Sequence, residues 1–70
     1  MAIQEEISKI VEDCLSNDVD PVDLVKKKFN CREAEIDREG DIWIADPQAG
    51  HWLSESELES FIEFVRRLKS

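Results

Sequence analysis

The first fifteen residues carry apolar side chains at the spacing of an amphipathic helix. Apolar positions recur three, four and seven residues apart, at Ile3, Ile7, Ile10, Val11, Cys14 and Leu15. This pattern predicts a first helix over about residues 2–15. The polar residues 16–18 end it, because short polar side chains compete for helical backbone bonds and tolerate the left-handed cap conformation.

A second, shorter helix begins near Pro21. Asp20 is a suitable N-cap, and proline at the first helical position loses no backbone hydrogen bond. Val19 and Leu24 have the spacing of a hydrophobic staple. Its predicted buried residues are Val22, Val25 and Phe29. Its predicted C-terminal end has the basic residues Lys26–Lys28 and Asn30 as the cap.

Between residues 32 and 45 the period changes from that of a helix to two, which is typical of strands. A three-residue loop ending in a left-handed glycine would place Ile36 opposite Ile42 and Ala34 opposite Ile44, so that all four share one face. Trp43 then points to the other face, beside Glu35 across the hairpin. A helix over 31–39 is the alternative, since Glu, Ala and Arg favour helices, but the glycine and the β-branched residues after it favour a hairpin.

Residues 46–52 contain aspartate, proline and glycine and predict an ordered loop. The last helix begins at Ser54, which forms a capping box with Glu57, and Leu53 and Leu58 form its staple. Its apolar stripe contains Leu58, Phe61, Ile62, Phe64, Val65 and Leu68. We therefore expect one small α+β domain over residues 1–70, of order α-α-β-β-α, with helices packed on one face of a two-stranded antiparallel hairpin.

The charge is large and localised. The 70 residues have a net charge of −8, and the segment Glu33–Glu63 holds ten acidic residues against one basic residue, Arg38. Direct binding to nucleic acid or to an anionic membrane needs clustered lysine and arginine, so neither is expected. No apolar run is long enough to span a membrane and no targeting signal is visible, so we expect a cytoplasmic protein.

The residues that could carry chemistry do not form a recognised motif. Cys14 and Cys31 are predicted to be reduced thiols, and the sequence leaves open whether Cys31 is reactive. Their distances from His51 along the chain do not match a metal clip, and no glycine-rich phosphate loop is present, so we expect no metal and no cofactor. Asp46, His51 and Ser54 are components of acyl-transfer sites, but Ser54 is needed as a helix cap, so we expect no enzyme.

Two tryptophans and a row of acids give the leading functional hypothesis. The predicted partner-binding residues are Trp43, Trp52, Glu33, Glu35, Asp37 and His51. They favour a non-catalytic protein–protein interaction module that binds another protein, a basic one among the candidates, or a second copy of itself. The same residues also have an explanation without any binding function, in which the protein itself covers the tryptophans and the acids are only solvated. The alternatives are a nucleic-acid mimic that blocks a DNA-binding protein, and a small enzyme or ligand-binding domain with a site near His51.

Overall fold

A computed structural model of the chain describes residues 3–45 and 49–69, which form an α+β fold. Along the chain the elements are α1 (Ile3–Ser16), α2 (Pro21–Phe29), β1 (Glu33–Ile36), β2 (Ile42–Ala45), β3 (Gly50–Trp52) and α3 (Glu55–Lys69). The described strands form one antiparallel sheet in the order β1-β2-β3.

The prediction of a two-stranded hairpin is wrong, because residues predicted as loop form a third strand. β3 pairs with β2 through Trp43 opposite Trp52, Ile44 opposite His51 and Ala45 opposite Gly50. Three residues, one of them glycine, are too few to show the alternation that identifies a strand in sequence. The first part of the predicted loop, including Asp46, lies outside the described residues.

The predicted hairpin register is confirmed. Ile36 lies opposite Ile42 and Ala34 opposite Ile44, and the loop glycine, Gly40, has a φ of 93°. The N–H of Gly40 donates to the carbonyl of Asp37 at 3.2 Å. A left-handed glycine at the end of a three-residue loop thus closes the hairpin, as the sequence predicts.

The hairpin loop packs against the first turn of α1. A Cβ on Gly40 would lie only 2.2 Å from the backbone oxygen of Gln4, and the Gln4 side chain donates to Asp41 Oδ1 at 3.2 Å. The Asp37 carboxylate accepts hydrogen bonds from the backbone N–H groups of Glu39 and Asp41, both at 2.9 Å. These contacts fix the loop relative to the helices.

The predicted C-terminal end of α1 and both predicted ends of α2 agree with the structure, whereas the predicted start of α1 at Ala2 lies outside the described residues. Asp20 caps α2 by accepting the N–H two residues on at 3.0 Å, and Asn30 ends it with a φ of 52°. At the end of α1, Asp18 has a φ of 62° and the N–H of Val19 donates to the carbonyl of Cys14 at 2.7 Å. The latter geometry is a Schellman motif, in which aspartate holds the position that glycine more often occupies.

The predicted capping box starts α3. Glu57 Oε1 accepts the N–H of Ser54 at 3.0 Å, and the Ser54 hydroxyl accepts the N–H of Glu57 at 3.3 Å. Leu53 and Leu58, the predicted staple, are both buried. The hydrogen bond from the Ser54 backbone and, to a smaller extent, the nearby His51 lower the pKa of Glu57, which keeps the cap ionised.

The core lies between the three helices and one face of the sheet. Its buried members are Ile7, Ile10, Cys14, Val25, Ala34, Ile42, Ile44, Leu53, Leu58, Phe61, Ile62 and Val65. α1 packs on α3, and α2 packs on β1. No helix among the described residues combines the length and the apolar character needed to cross a membrane.

Candidate functional site: the outer sheet face

The strand register gives the sheet a second face, on the side opposite the core. Side chains alternate along a strand, and paired residues of neighbouring strands point to the same side. The residues that therefore share the face away from Ile42 and Ile44 are Glu33, Glu35, Trp43, Ala45, Gly50 and Trp52. We call this set the outer sheet face.

Trp43 and Trp52 are direct neighbours on this face. The N–H of Leu53 donates to the carbonyl of Ile42 at 2.8 Å, so the adjacent pair of tryptophans is the non-hydrogen-bonded kind. In such pairs the Cα atoms are about 4.5 Å apart and the side chains approach most closely. The sequence placed Trp43 beside Glu35, and the register confirms it.

The two indoles have different environments. A Cβ on Gly50 would lie 2.1 Å from Cζ2 of Trp43, so the Trp43 ring extends diagonally over the glycine and is partly buried there. Trp52 is 57% exposed. The question that the sequence left open is therefore answered differently for each residue: β3 covers Trp43, whereas Trp52 faces solvent.

Two carboxylates complete the outer sheet face. Glu33 and Glu35 are both exposed, and Glu35 lies directly opposite Trp43. Within residues 3–45 and 49–69, neither carboxylate forms an ion pair. Glu35 is thus available to a cation from outside the described part of the chain.

A shallow depression joins Trp52 to β1. It is lined by Val22, Ala34, Glu35, Ile36, Asp37 and Trp52. Trp52 lines it although β2 separates its strand from β1, so the indole extends across the sheet toward the carboxylates of Glu35 and Asp37. The Trp43 ring leaves this space open because it leans the other way, over Gly50.

His51 lies apart from the other predicted partner-binding residues. It is opposite Ile44, so its side chain is on the helix side of the edge strand, where it is exposed. Its Nε2 is 3.9 Å from Oε2 of Glu57 at the start of α3. The structure therefore joins His51 to the α3 cap and separates it from Trp43 and Trp52.

Asp37 contributes to the hairpin loop as well as to the depression. Carboxylate oxygens of Asp37, Glu39 and Asp41 come within 4.8 Å of one another, and oxygen ligands of this kind suit Ca²⁺ or Mg²⁺. However, Asp37 Oδ1 already accepts two backbone N–H groups, and Asp41 accepts the Gln4 amide. The cluster is explained by loop formation.

Ser54 and His51, two of the three candidate acyl-transfer residues, both lie near the start of α3. Ser54 is hydrogen-bonded within the α3 cap, His51 is exposed beside it, and Asp46 lies outside the described residues. Cys14 is buried, and burial together with the charge of Asp20 raises the pKa of its thiol. Cys31 is only partly buried.

Gly50 is the residue of this site that sequence reasoning missed. It was interpreted as a turn residue, whereas it provides the space in which the Trp43 indole lies. A single glycine in a predicted loop gives little signal by itself. Glycine beneath a cross-strand aromatic residue is, however, a known arrangement in sheets. The signal would have been the pair of tryptophans flanking a short glycine-containing segment.

Comparison with protein-family models and with curated proteins finds no match for this chain. The functional argument consequently rests on the geometry of the outer sheet face.

Proposed function

We propose that this protein is a non-catalytic protein–protein interaction module that binds its partner through the outer sheet face. The observation that carries the proposal is the exposed Trp52 beside carboxylates that have no partner among the described residues. Tryptophan is strongly enriched among the residues that dominate interface energies. A small domain gains most from burying its large aromatics in its own core, so an exposed one suggests an external use.

The electrostatics favour a basic partner over a second copy. At a net charge of −8, two copies repel each other before any contact forms. Glu33 and Glu35 instead attract a positively charged surface and increase its association rate. Among the described residues, the outer sheet face contains no lysine or arginine that would offset this attraction.

The interaction module accounts for the charge distribution better than nucleic-acid mimicry. A mimic needs its acids in one line that matches a phosphate backbone. Here the described acids of the segment 33–63 are divided among three surfaces: the outer sheet face, the hairpin loop and α3.

A quantitative pull-down from native lysate tests the proposal. The first bait is wild type, and the second carries Trp52→Ala with Glu35→Lys on the outer sheet face. The matched control carries Leu68→Ala with Glu59→Lys on α3, since Leu68 is 58% exposed and the charge change is identical. We expect a basic protein to be retained by wild type and control, and to be lost from the outer-face variant.

The control makes the negative result informative. Equal retention by all three baits would remove the outer sheet face as the binding surface. Loss of the retained protein from the control bait alone would indicate that the binding surface is on α3.

A further inference from the structure

We propose that the depression between Trp52 and Glu35 binds an arginine side chain of the partner. This inference rests on the proposed function, because it names the chemical group that the same face recognises. The ligand is a guanidinium carried on an extended or loop segment. It stacks on the exposed indole and forms hydrogen bonds to the carboxylate.

The depression has an aromatic wall and an acidic wall. Trp52 forms the first, Glu35 and Asp37 lie on the second, and the apolar residues Val22, Ala34 and Ile36 complete the lining. Glu35, Trp43 and Trp52 follow one another directly across the three strands. Trp52 and Glu35 are two strand spacings, about 10 Å, apart along the sheet. Because both side chains line the same depression, a planar cation in it can contact the Trp52 ring and the Glu35 carboxylate at once.

The two tryptophans have separate roles in this arrangement. The Trp43 ring is held over Gly50, so it packs on β3 and does not line the depression. Trp52 presents its ring to solvent and is free to stack. An indole ring is the strongest cation–π acceptor among the side chains.

Guanidinium fits this site better than ammonium. It is planar, it stacks on aromatic faces, and it donates two parallel hydrogen bonds to a carboxylate. Lysine offers a strongly hydrated point charge and no plane. A site that uses both walls must therefore prefer arginine, whereas a merely acidic surface binds the two equally.

NMR titration tests the preference. Three peptides with four repeats each, arginine–glycine, lysine–glycine and citrulline–glycine, are added to the ¹⁵N-labelled protein while the two indole N–H signals are followed. Citrulline has the shape of arginine without its charge. We expect the arginine peptide to bind about tenfold more tightly than the citrulline peptide and about fivefold more tightly than the lysine peptide. The larger shift should be at the Trp52 indole.

Two conservative variants identify the walls. Trp52→Leu keeps an apolar side chain without the ring and should reduce arginine binding to the lysine level. Glu35→Gln should weaken both cationic peptides and leave the citrulline peptide unchanged. Both positions are exposed, and the backbone amide spectrum verifies the fold of each variant.

Equal affinity for arginine and lysine peptides would overturn the inference, as would an arginine preference that survives Trp52→Leu. An arginine peptide that produces no shift at millimolar concentration would also overturn it. If these results appear while the pull-down still depends on the outer sheet face, the interaction module stands and only its arginine ligand fails. If the pull-down shows no dependence either, the face is not a binding surface.

Discussion

Replacement of Gly50 by alanine tests the packing on which the outer sheet face depends. The backbone of Gly50 is not in the left-handed region, so alanine is conformationally permitted there. In an ordinary strand this change removes backbone freedom from the unfolded chain and stabilises by about 0.5–1 kcal/mol. The new methyl group, however, would lie 2.1 Å from Cζ2 of Trp43 and 2.7 Å from its Cε2.

The clash determines the sign of the effect. Carbon atoms in contact are separated by about 3.5–4.0 Å, so the indole has to move by more than 1 Å, roughly, and lose its contacts with β3. Overpacking of this kind costs about 1–3 kcal/mol. We therefore expect Gly50→Ala to destabilise the protein by about 0.5–2 kcal/mol after the backbone gain is subtracted.

A double-mutant cycle with Trp43→Val isolates the clash. Valine, like tryptophan, favours strands but is too short to reach position 50, so Gly50→Ala should become neutral or stabilising in that background. Urea unfolding followed by far-UV circular dichroism measures each variant. With a slope of about 1 kcal/mol per molar urea, the midpoint should fall by about 0.5–2 M in the wild-type background. An alanine that stabilises the wild type, or that costs the same in both backgrounds, would refute the packing of Trp43 over Gly50.

Three further results are expected. Gly40→Ala places a Cβ 2.2 Å from the Gln4 backbone oxygen at a φ of 93°, and since a backbone atom cannot move aside, circular dichroism should show a largely unfolded chain; a cooperative native-like melt would contradict this. In native protein, a chromogenic thiol reagent should label Cys31 well before Cys14, because Cys14 is buried and its thiol pKa is raised by desolvation; equal rates would contradict its burial. The pKa of Glu57 is lowered below its ordinary 4.5 by the backbone N–H at the start of α3, so its stabilising contribution is present above that pH and is lost as the pH falls through the lowered value. The stability difference between wild type and Glu57→Gln, from urea titrations between pH 7 and 3, should shrink toward acid; a constant difference would exclude the linkage.

The helices were predictable because their signals are local. The caps Ser54 with Glu57, and Asp20, specify their helix starts through hydrogen bonds within a few residues, and the structure shows these bonds. Pro21 suits the first helical position because no N–H is needed there. The hairpin register was predictable for a similar reason. A loop ending in Gly40 and one apolar face permit only one alignment.

The third strand was not predictable, because its formation depends on tertiary contacts. The sequence Gly50–Trp52 has little strand character of its own, and its pairing follows from the packing of Trp43 over Gly50 and of buried Leu53 beneath. The pairing of β3 with β2 also decides which face of the sheet Trp52 and His51 occupy.

The candidate site was consequently predicted only in part. Alternation alone placed Trp43 beside Glu35 on the face away from the core. The position of Trp52 on that face, and of His51 on the other, required the β2–β3 pairing. Proximity in sequence had grouped His51 with Trp52, but adjacent strand residues point to opposite sides.

Site-specific photo-cross-linking is the most direct test of the outer sheet face as a binding surface. A photoreactive benzoylphenylalanine replaces the exposed Glu33 on the outer sheet face in one protein and the exposed Glu59 on α3 in another, so that Trp52 and Glu35 stay intact in both. Both proteins are irradiated in native lysate. We expect one defined covalent adduct, with a basic protein, from position 33 and none from position 59. The same adduct from both positions, or an adduct from position 59 alone, would contradict the outer sheet face as the binding surface.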